Sequence, residues 1–427
     1  MFTIGTSRKL KACLVPTEVI KVVISEKKIR DIVNEHFDKF VRIRRDFHRH
    51  PELGLEEFRT ADKIESYLRE WGLEIGERVN KTSVVGMIKG NCPEALVIGL
   101  RADIDALPIQ ELNNHDYKSI YDGKMHACGH DVHTTIQLGT AFVLKQIHDS
   151  LPGSVKLFFQ QAEETVGGAK TLIEAGVLES PFVSHVLGMH VCPKLPVGTF
   201  GIKYDHAYAS SDTITIHVHG HSAHGASPQD GIDAIVIASH IVVALQTLIS
   251  RNTSPLDAAV LSFGVIGGGD AHNVIANHVK LSGTLRTLDD EVRKSLKGRI
   301  FEVATHLAKA YGGEVSLRVE SGYDAVINDE IVTNLVKEAA QRVLGEDQVK
   351  ILKNPSLGVE DFAYFAQARP SSYNRLGVAN LEKGVTATVH DGKFDIDEEA
   401  IRYGILIQVM SVLALMGVGI DEEATTI

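Results

Sequence analysis

The sequence contains few cysteines and few prolines, and no low-complexity tract or short repeat occurs in it. Its four cysteines are scattered over 427 residues, which is far too sparse for a domain held together by disulfide bonds. We therefore expect a reducing, cytoplasmic environment. The closest approach to a membrane span, from Gly404 to Ile420, is slightly short and contains Gln408 and Ser411. We predict a buried C-terminal helix there and no association with a membrane.

Positive charge is also in deficit. Lys and Arg number 44 against 55 Asp and Glu, which gives a net charge of −11. This balance argues against a general affinity for nucleic acid or anionic membranes, so we expect a small-molecule partner. The apolar content of 44% is typical of a globular protein, and 427 residues exceed the usual size of one hydrophobic core. Two domains are therefore expected.

Helical and strand-like segments alternate after an N-terminal extension, to which we assign residues 1–34. In that extension Lys11, Glu18 and Lys21 interrupt what could otherwise be the apolar core of a signal peptide. Apolar runs of strand length follow at 84–88, 95–100, 155–159 and 185–189, and helical patterns occur at 57–71, 134–148 and 168–174. Residues 35–204 therefore have the pattern of an α/β domain, in which sites form beyond the carboxyl ends of strands.

The pattern changes near Asp205. Segments 213–219, 259–266, 273–286 and 314–319 have strand patterns, and segments 232–249 and 289–311 have helical patterns. The order βαββαβ predicts a small ferredoxin-like domain over residues 205–320. Helical patterns resume at 331–344, 360–365 and 398–416. Because His390 follows the small domain, we predict that it is inserted and that residues 321–427 complete the first domain.

Residues 126–133 carry the densest set of metal-binding side chains. A thiol, three imidazoles and a carboxylate occur there within eight residues, around Gly129. Any one of them alone could be a buried filler, but Glu163, Glu164, His190 and His390 supply further ligand types from distant segments. These are the ligands that borderline divalent ions prefer, so the pattern predicts a metal site assembled from several segments.

Several motifs together resemble those of the M20 metallopeptidases, in particular the amidohydrolase branch, subfamily D. That branch includes hippurate hydrolases, N-acetyl-diaminopimelate deacetylases and indole-acetyl-amino-acid hydrolases. The resemblance extends from about His36 to Gly417. The matching segments, in order, are DFHRHPELGLEE at 46–57, RADIDALPI at 101–109, HACGHDVHT at 126–134, QQAEE at 160–164, GMHV at 188–191, NVIANHVKLSGTLRT at 273–287, GVEDFAYF at 358–365 and HDGKFDIDEEA at 390–400.

The resemblance implies a mixed-sheet catalytic domain with two divalent ions, of which Zn²⁺, Mn²⁺ and Co²⁺ would all suit the ligands. The implied ligands are Cys128, His130, Glu164, His190 and His390. We expect the Cys128 thiolate to bridge the ions, with His130 and His190 on one and Glu164 and His390 on the other. The resemblance assigns Glu163 the part of general base and later acid, and a carboxylate beside activated water suits that part.

The resemblance also implies a homodimer in which the inserted domain serves as lid and dimerisation unit. His224 would reach the partner's site and stabilise the charge that develops on the substrate oxygen. Asn273 and Arg286 would hold the substrate carboxylate, and Gly358 would lie near the bound substrate. Asp103 and Asp105 follow the strand at 95–100; we expect Asp103 to orient a ligand imidazole, and for Asp105 a turn-forming role is nearly as plausible.

The sequence therefore predicts a metal-dependent enzyme that hydrolyses the amide bond of N-acyl amino acids. A dipeptidase or carboxypeptidase with the same two-metal site is the alternative, because the acyl pocket cannot be inferred from the sequence. A metal-binding protein without activity would be expected to lack the base or a ligand. A hydrolase with Cys128 as nucleophile would keep its activity in a chelator. Two positions depart from the family pattern: Gln161, where proline is usual, and Asp391-Gly392, where Ser-Pro is common.

Overall fold

The computed structural model of the protein describes residues 22–421. Residues 1–21, with most of the predicted N-terminal extension and Cys13, lie outside the described residues. The first long helix begins at Glu26, and its residues Ile29 and Val33 are fully buried in the main core. Residues 26–34, which we assigned to the extension, are therefore part of the packed structure.

The first half of the described chain alternates between strands and helices. In chain order the elements are β1 (Val23–Ser25), α1 (Glu26–Arg49), α2 (Phe58–Glu70), β2 (Glu74–Ile75), β3 (Val84–Ile88), β4 (Val97–Asp103), α3 (His130–Gln146), β5 (Ser154–Gln160), α4 (Gly168–Glu174), β6 (His185–Pro196), β7 (Phe200–Ile202) and β8 (Asp205–Tyr208). Strands β4 and β5 are buried along their whole length, as expected for the centre of a sheet that is covered on both faces.

The second half begins with four long strands and two long helices and then returns to the first architecture. The elements are β9 (Ser210–His219), α5 (Ala234–Asn252), β10 (Ala259–Gly268), β11 (His278–Thr287), α6 (Asp290–Ala310), β12 (Glu314–Ser321), β13 (Val326–Asn328), α7 (Glu330–Leu344), β14 (Val349–Ile351), α8 (Ala363–Ala368), β15 (Ser371–Ala379), α9 (Glu399–Leu415) and β16 (Gly419–Asp421). Helices α5, α6 and α7 each have an aspartate as N-cap immediately before their first residue, namely Asp233, Asp289 and Asp329. The carboxylates of these residues accept backbone N–H groups of the first turn.

An eight-stranded mixed sheet forms the centre of the larger unit, in the order β14-β7-β15-β6-β4-β5-β3-β2. Its central neighbours β15, β6, β4 and β5 run parallel, whereas β3 is antiparallel to β5. Residues of α1, α3, α7 and α9 form a large apolar core on one face, and residues of α4 and α8 form a smaller core on the other. The predicted α/β class with a mixed sheet is confirmed.

A second, four-stranded antiparallel sheet has the order β10-β11-β9-β12. Together with α5 and α6 it has the predicted connectivity βαββαβ and its own apolar core. In sequence it lies between strands of the eight-stranded sheet, because β14 and β15 follow it. The boundaries that we gave for the domains, and the role of this unit as a lid, stay predictions.

Two sequence-based expectations differ from the structure. Strand β11 starts at His278, so Asn273 lies in the loop before it, and α8 starts at Ala363, so Glu360 and Asp361 precede the helix.

The C-terminal helix α9 is buried as expected. Within residues 22–421, however, the helix that is long and apolar enough to cross a membrane is α5. One such helix is weak evidence for a span, and Ile237, Ile241 and Leu245 of α5 are buried in the core of the smaller unit.

We expect Phe40→Ala to lower the free energy of unfolding by about 3–5 kcal/mol, because the ring is fully buried and its removal leaves a cavity. The matched control is Phe301→Ala, whose ring is 55% exposed, with an effect of about 0.5 kcal/mol or less. Urea denaturation can be followed by the fluorescence of Trp71, the single tryptophan, whose ring lies 5.2 Å from that of Phe142 in the same core. Equal effects of the two substitutions would contradict this assignment of the core.

Candidate metal centre

Two strands of the central sheet, which flank β4, and one helix bring three of the predicted ligands together. Glu164 follows β5, His190 lies in the adjacent part of the sheet on β6, and His130 is the first residue of α3. Gly129 has a φ of +86°, and a Cβ atom there would lie 2.5 Å from the Val191 side chain. The tight approach of the loop to β6 therefore requires glycine between Cys128 and His130.

Five side chains form two groups that share one thiol. Cys128, His130 and His190 form one group, and Cys128, Glu164 and His390 form the other; within each group the ligand atoms lie within 4.8 Å of one another. The Cys128 Sγ atom is 3.4 Å from Nε2 of His190, and Glu164 Oε1 is 3.1 Å from Nε2 of His390. This is the partition that we expected for a thiolate that bridges two ions.

Hydrogen bonds fix two of the imidazoles through their outer nitrogens. Nδ1 of His130 donates to Asp105 Oδ1 (3.2 Å), and Nδ1 of His190 donates to the carbonyl of Val191 (2.7 Å). Each ring therefore presents the lone pair of Nε2 to the centre, which is the orientation that metal sites require. Nε2 of His130 is buried without a hydrogen-bond partner. The donor set and this unpartnered nitrogen fit a bound cation.

Asp105, not Asp103, carries the hydrogen bond to a ligand imidazole. Besides His130, its two oxygens accept the backbone N–H groups of Glu163 (3.1 Å) and Glu164 (3.0 Å). These residues form a turn after β5, which starts at Ala162 with a φ of +55°. The turn lets two adjacent carboxylates serve one site, where an extended strand would point them to opposite faces.

Asp103 is occupied by a different set of partners. It accepts from Nδ1 of His133 (2.5 Å) and from Arg101 (2.6 Å), and its nearest approach to His130 is 3.8 Å, at Nε2. Nε2 of His133 accepts the backbone N–H of Val191 (2.9 Å). Because both nitrogens of His133 are engaged by the protein, this imidazole has no lone pair left for an ion.

A buried arginine that the sequence analysis did not single out connects the centre to the segment before α8. Arg101 donates to Asp103 and Asp361, both at 2.6 Å, and lies 3.0 Å from Glu360. Tyr373 donates to the other Glu360 oxygen (2.7 Å). The signal was available, since Arg101 opens the RADIDALPI segment and an arginine inside an apolar strand requires buried acidic partners.

Burial and neighbouring charge shift the ionisation of the centre. Burial, reinforced by Glu360, Asp361 and Glu164, raises the pKa of Glu163 well above its ordinary value. Burial also raises the pKa of the Cys128 thiol, again with Glu164 contributing. For Glu164 burial acts in the same direction, but His390 and His130 outweigh it and lower its pKa. Burial and the neighbouring carboxylates thus disfavour the charged forms of Glu163 and Cys128, whereas a divalent cation would favour them.

The four remaining predicted site residues lie outside this cluster. His224 is exposed, and its Nδ1 accepts the N–H of Ala226 (3.0 Å). Asn273 lies beside the His224 loop, where its carbonyl accepts the N–H of Gly225 (2.8 Å). Arg286 is on β11, and Gly358 lies in the loop before α8, where its carbonyl accepts the N–H of Ala209. Within residues 22–421, no hydrogen bond or ion pair joins these four to the five ligands or Glu163.

Comparisons with known proteins agree with this geometry. Residues 99–412 match the model of Peptidase family M20/M25/M40. An N-acetyl-L-cysteine deacetylase of Bacillus subtilis is 41% identical over 364 residues, with 85% of each chain covered. Thermostable carboxypeptidase 2 of Saccharolobus solfataricus is 35% identical over 387 residues, covering 90% of this chain and 97% of that one.

A solved structure extends the similarity to three dimensions. The YXEP protein of Bacillus subtilis, described as a dinuclear metal binding peptidase from the M20 family, superposes with a TM-score of 0.80 at 35% identity. The alignment covers 90% of this chain and 99% of that one. The chain belongs to peptidase family M20/M25/M40, and the resemblance found in the sequence is confirmed.

We expect Cys128→Ala to lower the content of divalent ions, because both ligand groups include this thiol. Elemental analysis of protein purified without chelator provides the measurement. The matched control is Cys192→Ala, which removes a free, half-buried thiol that belongs to neither group. Full retention of the ions in Cys128→Ala would rule out the bridge.

Proposed function

We propose that this member of the M20/M25/M40 family is a metal-dependent amidohydrolase that cleaves the amide bond between an acyl group and an α-amino acid. The observation that carries the proposal is the pair of ligand groups that share Cys128, with the buried carboxylate of Glu163 beside them. A Cys128 nucleophile is less well supported, because its nearest imidazole, His190, uses Nδ1 on a backbone carbonyl and lacks a carboxylate to orient it.

Cys128, His130 and His190 would hold one divalent ion, and Cys128, Glu164 and His390 the other. When bound, such ions act as Lewis acids that polarise the amide carbonyl and make water more acidic. The set of thiolate, imidazole and carboxylate suits Zn²⁺, Mn²⁺ and Co²⁺ alike. We leave the choice among these three open.

Glu163 is the residue that moves the proton. As a carboxylate it takes a proton from the attacking water, and as a carboxylic acid it returns this proton to the nitrogen of the leaving amino acid. A raised pKa suits the second step, since burial and the neighbouring Glu360 and Asp361 favour the protonated form. Tyr323 donates a hydrogen bond to the Glu163 carbonyl (3.0 Å) and so helps to hold the turn.

Arg286 and Asn273 bind the carboxylate of the amino acid in this proposal. Nη1 of Arg286 is buried without a hydrogen-bond partner, while its Nε donates to Thr284 Oγ1 (3.1 Å). A buried guanidinium nitrogen without a partner favours an anionic ligand, and the planar fork matches a carboxylate. Gly358, which we place near the bound substrate, is exposed, and its N–H donates to Ser356 Oγ (3.0 Å).

We further propose that the protein is a homodimer and that His224 serves the partner's site. Strand β10 is an edge strand of the four-stranded sheet, and its Val265 and Ile266 are 55% and 58% exposed. On the adjacent helix α5, Val243 is 69% exposed. An unpaired strand edge beside exposed apolar side chains is suited to pairing with a second copy. Within residues 22–421, His224 makes no hydrogen bond to the predicted ligands of its own chain. In the dimer it would stabilise the substrate oxyanion in the partner's site.

A carboxypeptidase or dipeptidase with the same centre is the second candidate. The relative named thermostable carboxypeptidase 2 supports it, whereas the relative named N-acetyl-L-cysteine deacetylase supports cleavage of an N-acyl group. A panel of N-acetyl, N-benzoyl, indole-acyl and dipeptide substrates, with each divalent ion added back in turn, separates the two.

Cytoplasmic location is part of the proposal, since Cys92, Cys128 and Cys192 are free thiols.

We expect Glu163→Gln to lower kcat by a factor of about 10² to 10⁴, because the amide keeps the shape but cannot accept a proton. The content of divalent ions should hardly change, since the ligand groups that include Cys128 do not include Glu163. The control is Glu174→Gln, an exposed carboxylate on α4, with unchanged kcat. Turnover near the parent rate in Glu163→Gln would exclude this residue as the base.

The trans role of His224 can be tested by subunit exchange. His224→Ala and Glu163→Gln proteins should each be nearly inactive, and their mixture should regain activity. In a mixed dimer one centre contains an intact Glu163 together with an intact His224 from the partner. Steady-state hydrolysis before and after mixing gives the measurement, and native mass spectrometry verifies exchange. Verified exchange without recovery would assign His224 to its own chain or to no catalytic role.

A further inference from the structure

A second cluster of metal-binding side chains lies outside the centre described above. His48 of α1 and Glu111 and His115 of the segment between β4 and α3 place their ligand atoms within 4.8 Å of one another. We call these three residues the His48 cluster. His48 and Glu111 are buried, and the His115 side chain is 17% exposed. The cluster shares no residue with the two groups around Cys128.

Two imidazole nitrogens converge on one carboxylate oxygen in the His48 cluster. Nε2 of His48 lies 3.3 Å and Nε2 of His115 lies 3.2 Å from Glu111 Oε1. The other Glu111 oxygen accepts the N–H of Ser119 (2.7 Å), and Asn113 also donates weakly to Oε1 (3.3 Å). The carboxylate is therefore held in place, with one oxygen directed at the two rings.

The partners of His48 orient it as a ligand. Its Nδ1 donates to Asp131 Oδ2 (2.9 Å) and lies 3.4 Å from Nη2 of Arg44, and its Nε2 faces Glu111 Oε1 at 3.3 Å, as a donor when His48 is protonated and with its lone pair when His48 is neutral. This is the carboxylate–histidine arrangement that supports metal-bound imidazoles. The lone pair of Nε2 and the Glu111 carboxylate repel each other unless a proton or a cation lies between them.

Unpartnered imidazoles favour a cation. Neither nitrogen of His115 makes a hydrogen bond, so its contact with Glu111 at 3.2 Å is not in a hydrogen-bonding direction. His126 is 1% exposed, its ring centroid is 6.5 Å from that of His48, and neither of its nitrogens has a hydrogen-bond partner. Buried nitrogens without partners are costly and indicate a missing ligand.

The charge around the His48 cluster has the sign that a cation needs. Two arginines and the two histidines of the cluster form ion pairs with four carboxylates. Arg44 pairs with Asp131, Asp395 and Glu398, and Arg45 also pairs with Glu398. His48 and His115 contact Glu111. Four carboxylates and two arginines leave two negative charges when the imidazoles are neutral. One divalent ion would balance them.

The cluster lies close to a surface cavity on the side of His115. The His115 ring stacks on Tyr117 with centroids 3.7 Å apart, and Tyr117 donates to Asp395 (2.9 Å). Tyr117 and Asp395 line a cavity of about 560 Å³. His115, whose side chain is 17% exposed, thus contacts one wall of this cavity through the ring of Tyr117.

We propose that the His48 cluster is a separate, structural metal site that binds one borderline divalent ion such as Zn²⁺ through His48, Glu111 and His115. Two imidazoles and a carboxylate are a common ligand set for such ions. The ion joins α1 to the loop that leads into Cys128, and so holds this loop to the larger core. The proposal does not depend on the hydrolytic function.

The test compares His115→Asn with the parent chain and with His306→Asn, an exposed histidine of α6 outside all of these clusters. Each full-length protein is equilibrated with buffered Co²⁺, and bound cobalt is counted by elemental analysis. His115→Asn should bind one ion fewer than the parent, His306→Asn should bind as many as the parent, and hydrolysis should be retained in both. Equal cobalt counts in the parent and His115→Asn would overturn the proposal.

Two further measurements locate the ion. In a Cys128→Ala background, His115→Asn should again remove one cobalt ion, which separates the site from the centre around Cys128. Anomalous scattering at the cobalt edge from crystals of the parent should give a peak between Nε2 of His48, Nε2 of His115 and Glu111. An anomalous map without this peak, from crystals equilibrated with the same cobalt buffer, would also overturn the assignment.

Discussion

The carboxylate of Asp105 is the constraint on which the candidate centre depends. It accepts Nδ1–H of His130 and the backbone N–H groups of Glu163 and Glu164. One side chain just after β4 thereby fixes the direction of the His130 imidazole and the turn that carries Glu163 and Glu164, the predicted base and a predicted ligand. The backbone that carries Glu163 and Glu164 is thus held by hydrogen bonds to the Asp105 carboxylate.

Around this constraint the protein buries an unusual number of ionisable groups, and their charges must be balanced. On one side of the centre Arg101 offsets Asp103, Glu360 and Asp361 through short ion pairs. Burial nevertheless raises the pKa of Asp361 to about 7, although Arg101 opposes the shift. On the other side Arg44 offsets Asp131, Asp395 and Glu398. Within residues 22–421 the five predicted ligands make no ion pair with an arginine or a lysine, and in our proposal divalent ions complete the balance there.

The smaller unit stands apart from this arrangement. It has its own sheet and its own core, and the substrate-binding residues that we assign to it, Asn273, Arg286 and His224, make no hydrogen bond to the ligands. We thus assign the metal-binding residues to the central sheet and the recognition of the substrate to a unit that has its own hydrophobic core. A separate core allows such a unit to move as a body, and a dimer formed through β10 and α5 would bring a second copy of His224 to each centre.

The sequence by itself determined the class of the fold and the connectivity βαββαβ, and through the family resemblance it predicted five ligands and Glu163 as the base, roles that stay predictions. It could do so because hydrophobic periodicity reports burial along each element, and because soft and borderline ligands are rare enough that their clustering in motifs is informative. The side-chain groups around Cys128 have the composition that we predicted for two ions bridged by a thiolate, and the partition itself stays a prediction.

Only the tertiary structure decided which carboxylate supports which imidazole. Asp103 and Asp105 are two residues apart at the end of one strand, and the sequence offered both; the packing of α3 against β4 directs His130 to Asp105 and His133 to Asp103. The tertiary structure also decided the ion pairs of Arg101 and the assembly of the His48 cluster. In that cluster Glu111 and His115 follow His48 by 63 and 67 positions in the sequence. Local pattern specifies elements, whereas contacts between distant side chains depend on how the elements pack, and no periodicity in the chain records that.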